Sequence, residues 1–101
     1  MDMRKMMREA QKMQQEMEIA QEEIAQFTAE ASAGGGMVKV VARGNITIDS
    51  ISINPEAIDL EDISMLEDMI MAAANDAIRS VAELADQRMS VVTGGLNIPG
   101  F

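Results

Sequence analysis

The sequence predicts an α+β fold, and three stretches carry that prediction. A long amphipathic helix opens the chain, a β-branched hairpin occupies the middle, and a second long helix with clear start and stop signals follows. One hundred and one residues make one domain, long enough for a single core but not a generous one.

The first helix is written over residues 1–24 as MDMRKMMREAQKMQQEMEIAQEEI. Its apolar residues keep a heptad. Met3, Ala10, Met17 and Ile24 take one core position, and Met6, Met13, Ala20 and Phe27 take the other. Glu9, Glu16, Glu23 and Glu30 flank that seam on one side, with Gln14, Gln21 and Thr28 on the other, so charge does not specify the partner. A helix of about 24 residues runs roughly 36 Å. A compact 100-residue domain has a radius of gyration of only about 13 Å. The helix is therefore expected to pair with another copy, to project beyond the body, or both.

Gln26 to Ala33 is open to two readings, because the heptad reaches Phe27 while FTAEASA also alternates with period two. Gly34-Gly35-Gly36 then breaks the chain as a turn. It is no phosphate loop, since a strand follows and no Lys-Ser/Thr does. MVKVVAR (37–43) reads as a strand ending at a tight turn on Gly44-Asn45, and NITIDSISIN (45–54) as its hairpin partner. Ile46 and Ile48 share one strand face, Ile51 and Ile53 the other. Either a bulge near Asp49-Ser50 resets the register, or both faces are covered. Asn54-Pro55 is a helix start for a short turn, PEAIDL. The second helix spans about 62–92, with Ser64 and Glu67 spaced as a capping box. Ile63, Leu66, Ile70, Ala73, Ala74, Ala77, Val81 and Leu84 recur at helical spacing, and Ala72-Ala73-Ala74 would admit a close neighbour. Gly94-Gly95 ends the helix, and LNIPGF is a short tail.

Net charge is −9, but its distribution says more. Residues 1–12 carry Arg4, Lys5, Arg8 and Lys12 against Asp2 and Glu9. Residues 13–30 carry five acids and no base. The helix dipole favours the reverse order, and Arg4, Arg8 and Lys12 form a like-charged row that costs roughly 0.2–0.5 kcal/mol per pair. Local rules broken together mark a candidate functional site. A cationic helix tip with free backbone N–H groups is suited to phosphate; the plainer reading is a solvated helix end. The acidic body argues against non-specific coating of nucleic acid and leaves the tip as the contact.

The remaining chemistry is sparse. No His, Cys, Tyr or Trp is present, which removes the commonest general base, the thiol nucleophile and the phenol, and rules out disulfides. No cofactor and no metal site are expected. Glu56, Asp59, Glu61, Asp62, Glu67 and Asp68 crowd the second helix start, where the dipole favours acids, without the spacing of an EF-hand. Phe27 and Phe101 are the only aromatics, so single strands would find no stacking platform. No apolar run reaches the roughly 20 residues of a membrane span, and no signal peptide is expected.

The order of these segments resembles the YbaB/EbfC family of nucleoid-associated bacterial proteins. The likeness covers nearly the whole chain and rests on AGGGMVKVVARGN, ISINPEAI, MLEDMIMAAANDAIRS and LNIPGF in that order and spacing. It implies an α-β-β-β-α arrangement, with a small antiparallel three-stranded sheet packed on a C-terminal helix. Phe27 to Ala33 then becomes the first strand. The chain divides into a projecting helix (1–26), the sheet (27–54), a helical region (55–93) and a tail (94–101). The resemblance further implies a cytoplasmic homodimer that binds double-stranded DNA, organises the nucleoid and takes part in gene regulation. The parts implicated are the first and last helices, here Arg4, Lys5, Arg8, Lys12 and Arg88. The rival reading of the residues is a protein-interaction module that docks a partner on its Met-rich helix; an enzyme has almost no chemical support.

Overall fold

The computed structural model describes residues 2–94. Helix α1 (Met3–Ala25) leads into strands β1 (Thr28–Ala33), β2 (Val38–Arg43) and β3 (Thr47–Ile53). A 3-10 turn at Pro55–Ala57 and helix α2 (Ile63–Thr93) follow. The strands form one antiparallel sheet in the order β1-β2-β3. Phe27 belongs to the joint before β1, which begins one residue later.

Register explains the core. Ala29, Ala31 and Ala33 of β1 stand opposite Ala42, Val40 and Val38 of β2, so one sheet face carries a row of alanines beside a row of buried apolar residues. Helix α2 answers with Ala73, Ala77 and Val81, all fully buried against Val38, Val40 and Ala42. Small residues on both sides let helix and sheet approach closely, which maximises dispersion contact. Ala73 is the buried member of the alanine run, Ala74 is half-buried and Ala72 exposed.

The hairpin resolves the isoleucine question in favour of the bulge. Val41 pairs with Ser50 and Ala42 with Ile48, so Asp49 is the extra residue on β3. Ile48, Ile51 and Ile53 thereby stand opposite Ala42, Val40 and Val38, on one face. The Asp49 carboxylate accepts from Arg43 Nε at 3.0 Å, and Arg43 Nη2 lies 2.9 Å away. The turn differs from a two-residue Gly-Asn loop. Arg43 pairs with Thr47, which leaves Gly44, Asn45 and Ile46 in the loop, and Ile46 takes the left-handed conformation at φ 61°. A β-branched residue there is strained; the ladder on either side holds it.

The caps also sharpen the reading. The Asn54 side chain accepts from Glu56 N at 2.9 Å, as Asn-Pro suggested. Helix α2 is capped by Asp62, not by the Ser64/Glu67 box. The Asp62 carboxylate accepts from Met65 N at 3.3 Å, and the Ser64 hydroxyl donates to it at 3.0 Å. Placing the cap two residues earlier lets an acid sit on the positive end of the dipole. Gly94 ends α2 in the left-handed conformation, its N–H donating to Ser90 O. Gly95 and the tail lie outside the described residues.

Gly44 fixes where α1 meets the sheet. It is buried, its N–H donates to Phe27 O at 2.9 Å, and a Cβ there would overlap the Ile24 carbonyl oxygen. Gly44→Ala is expected to lower stability by about 1–3 kcal/mol through overpacking, read as an earlier urea midpoint with an unchanged slope.

Candidate nucleic-acid interface

Helix α1 touches the body through its last turns. Ala20 is buried, Met17 and Ile24 are half-buried, and every residue from Asp2 to Glu16 is exposed. The molecule measures 71 × 21 × 16 Å with a radius of gyration of 19.3 Å, well beyond the compact value expected for this length. The seam is thus covered at its C-terminal half and bare at Met3, Met6 and Met13, which are 74, 50 and 36% exposed.

That bare half carries the candidate bases. At about 100° per residue, Arg4, Lys5, Arg8 and Lys12 share one arc of roughly 100°, across the helix from Met3, Met6, Ala10 and Met13. The three ion pairs among the described residues engage Arg43, Arg79 and Arg88, so none of these four bases has a carboxylate partner there. The helix N-terminus itself is not an open anion site. The Asp2 side chain accepts from Arg4 N at 3.0 Å, so a cap carboxylate already occupies one of the free N–H groups and places a negative charge there. The side chains of the four bases are the chief groups this tip offers a phosphate.

Arg88 is differently placed. Its Nε donates to Glu23 Oε2 at 2.7 Å, a contact that ties α2 to α1 across 65 positions of sequence. The hydrogen bond, reinforced by charge attraction, holds the Glu23 carboxyl below its ordinary range. The same bond, with the added fields of Glu23 and Glu16, raises Arg88. Glu16, Ile19, Arg88, Val91 and Val92 line an open groove between the helices. The sequence signal for this pair was available: an acid-only stretch from residues 13 to 30 and a lone base in the last turns of α2.

The sheet contributes a second unpartnered surface. Helix α2 lies over β1 and β2 and barely reaches β3. Ile48 and Ile51, on the core face, remain 39 and 49% exposed. The acids before α2 serve as local caps as well as surface charge: Asp59 Oδ1 accepts from Glu61 N at 2.9 Å, as Asp62 does from Met65 N.

The model of the YbaB/EbfC DNA-binding family matches residues 1–96. A nucleoid-associated protein of Thermoanaerobacter pseudethanolicus is 50% identical over 96 residues, 95% of this chain and 86% of that protein. A nucleoid-associated protein of Pelotomaculum thermopropionicum is 52% identical over 100 residues, 99% of this chain and 95% of that protein. Among solved structures, Helicobacter pylori HP0035 superposes with a TM-score of 0.73 at 25% identity, covering 96% of this chain and 99% of that one.

The Glu23–Arg88 bond gives a pH signature. A carboxyl whose value is lowered by folding stabilises above its ordinary range, and that contribution is lost as pH falls through the lowered value. The Glu23 side-chain carbon, followed by NMR, should titrate below the ordinary glutamate range. Arg88→Gln should return its midpoint to the ordinary range.

Proposed function

We propose, from the premise that this chain belongs to the YbaB/EbfC DNA-binding family, that it binds double-stranded DNA through the exposed tip of α1. On this reading Arg4, Lys5, Arg8 and Lys12 contact backbone phosphates, and the protein works in nucleoid organisation and gene regulation. The observation that carries the reading is the set of four bases on one arc of a solvent-exposed arm, with no carboxylate partner among the described residues. Nothing in the arrangement reads base edges, so the contact is electrostatic and positional. Arg88 contributes less directly than the four arm bases, because its guanidinium is shared with Glu23. The acidic remainder repels the duplex and confines contact to the arms.

The functional unit on this reading is a homodimer. Support comes from the uncovered core face of β3, where Ile48 and Ile51 form an apolar strip beside α2. A mate seated there would bury it and give each assembly two basic arms. Ile51→Glu should shift the sedimentation coefficient from dimer to monomer while circular dichroism keeps the helical signal; an unchanged dimer would move the interface elsewhere.

Binding is tested by fluorescence anisotropy of a labelled duplex at low and physiological salt. Each phosphate neutralised contributes about −0.9 to the slope of log affinity against log salt. The triple variant Arg4→Glu, Arg8→Glu, Lys12→Glu should abolish binding without loss of helix; retained affinity would clear the tip of the role. A second reading has its own observation, the exposed Met3, Met6 and Met7 at 74, 50 and 59%. A protein partner docked on that stripe would be lost with polar substitutions at Met6, Met13 and Met17, and salt would not weaken it.

A further inference from the structure

The last turns of α2 keep apolar side chains uncovered beside the root of the arm. Leu84 is 41% exposed and Val91 76%, and with Arg88 they stand at i, i+4 and i+7 on one face of the helix. Ile19 of α1, on the other side of the groove, is 52% exposed. That groove, lined by Glu16, Ile19, Arg88, Val91 and Val92, encloses about 310 Å³. Arg88 lines it with its guanidinium already bonded to Glu23, and Glu16 is open to water.

The chain continues from this place. Gly94 ends α2 in the left-handed conformation, which turns the backbone off the helix axis. The residues that follow, GLNIPGF (95–101), lie outside the described residues. They carry no charged side chain, and Leu96 and Ile98 stand two apart with Asn97 between them and Pro99 after them. A residue before proline favours extended backbone. In an extended segment Leu96 and Ile98 share one side.

We propose that this tail folds back from Gly94 into the groove beside its own starting point. Leu96 then packs against Val91 and Ile19, and Ile98 against Leu84 and the stem of Arg88. The lengths agree. Extended chain advances about 3.3 Å per residue, so Leu96 comes about 7 Å and Ile98 about 13 Å from Gly94. Helix α2 rises about 1.5 Å per residue, which sets Val91, Arg88 and Leu84 roughly 4.5, 9 and 15 Å back from the same point. The chemistry agrees as well. An uncharged segment brings no ion to compete for Glu23 or Arg88, and none of its own to desolvate. Attachment at Gly94 gives the tail a roughly millimolar effective concentration at the groove, which a free partner would have to match. The docked tail is a brace: it joins the last turns of α2 to the flank of α1 where the arm leaves the body, whatever the arm itself contacts.

Methyl-labelled isoleucine, leucine and valine in the full chain test this by NMR. The Leu96 methyls should give NOE cross-peaks to Ile19, and Ile98 to Leu84. Ile19→Ser together with Val91→Ser, both at exposed positions, should remove the Leu96 cross-peaks and move the Leu96 methyl shifts to random-coil values, with circular dichroism unchanged. Random-coil shifts for Leu96 and Ile98 in the native chain, with no cross-peak to Ile19 or Leu84, would overturn the proposal. Cross-peaks between labelled and unlabelled chains, seen in an isotope-filtered spectrum of a co-refolded mixture, would also overturn it, because they would put the tail in a partner's groove.

Discussion

Everything in this molecule follows from how closely α2 lies on the sheet. Ala73, Ala77 and Val81 are fully buried against Val38, Val40 and Ala42, and β1 presents alanines beside them. Small residues on both surfaces bring the helix down over β1 and β2. That seat centres α2 over β1 and β2 and away from β3, and β3 keeps Ile48 and Ile51 exposed. The same seat carries the end of α2 to the base of α1, where Arg88 meets Glu23. Gly44 admits the Ile24 carbonyl and pins the other side of that joint. These contacts, with the burial of Ala20 and the partial burial of Met17 and Ile24, hold a helix whose first half stands clear of the body.

The arm gathers the chain's charge conflict in one place. Four bases stand on a helix end that the dipole already makes positive, and Asp2 relieves part of this by capping Arg4 N. Beyond the cap, the described residues offer those bases no carboxylate. Phosphate is the complementary chemistry, which accords with membership of a DNA-binding family and with relatives named as nucleoid-associated proteins. The acids follow from Glu16 onward, where the body and α2 begin. Opposite the bases runs the methionine stripe, so one short helix presents two faces of different chemistry.

Much of the fold was legible because its signals are local. The heptad of α1, the β-branched run of β2, the Asn54-Pro55 start and the Gly94 stop each declare themselves within a few residues. Where competing local rules applied, reading went less far. The alternation of FTAEASA could not be told from the end of a heptad, and family resemblance, not periodicity, made it β1. Asp62 outcompeted the Ser64/Glu67 box as cap, since either spacing is acceptable in sequence. The isoleucines of β3 left two alternatives, a bulge near Asp49-Ser50 or a strand covered on both faces, and the pairing register decides for the bulge, with Asp49 as the extra residue. The strain at Ile46 left no trace, because nothing in that residue type suggests a left-handed turn. Among site residues, the arm bases stood out by their order. The Glu23–Arg88 bond joins elements 65 residues apart and depends on the tertiary packing that brings α2 back to α1.

The central claim is that the arm bases meet DNA. A nitrogen-15 NMR titration of the protein with a short duplex at low salt tests it most directly. The account predicts amide shifts concentrated over residues 2–12, reversed by added salt, with the sheet unmoved. Shifts centred instead on Lys39 and Arg43 of β2, or no shifts at all, would contradict it.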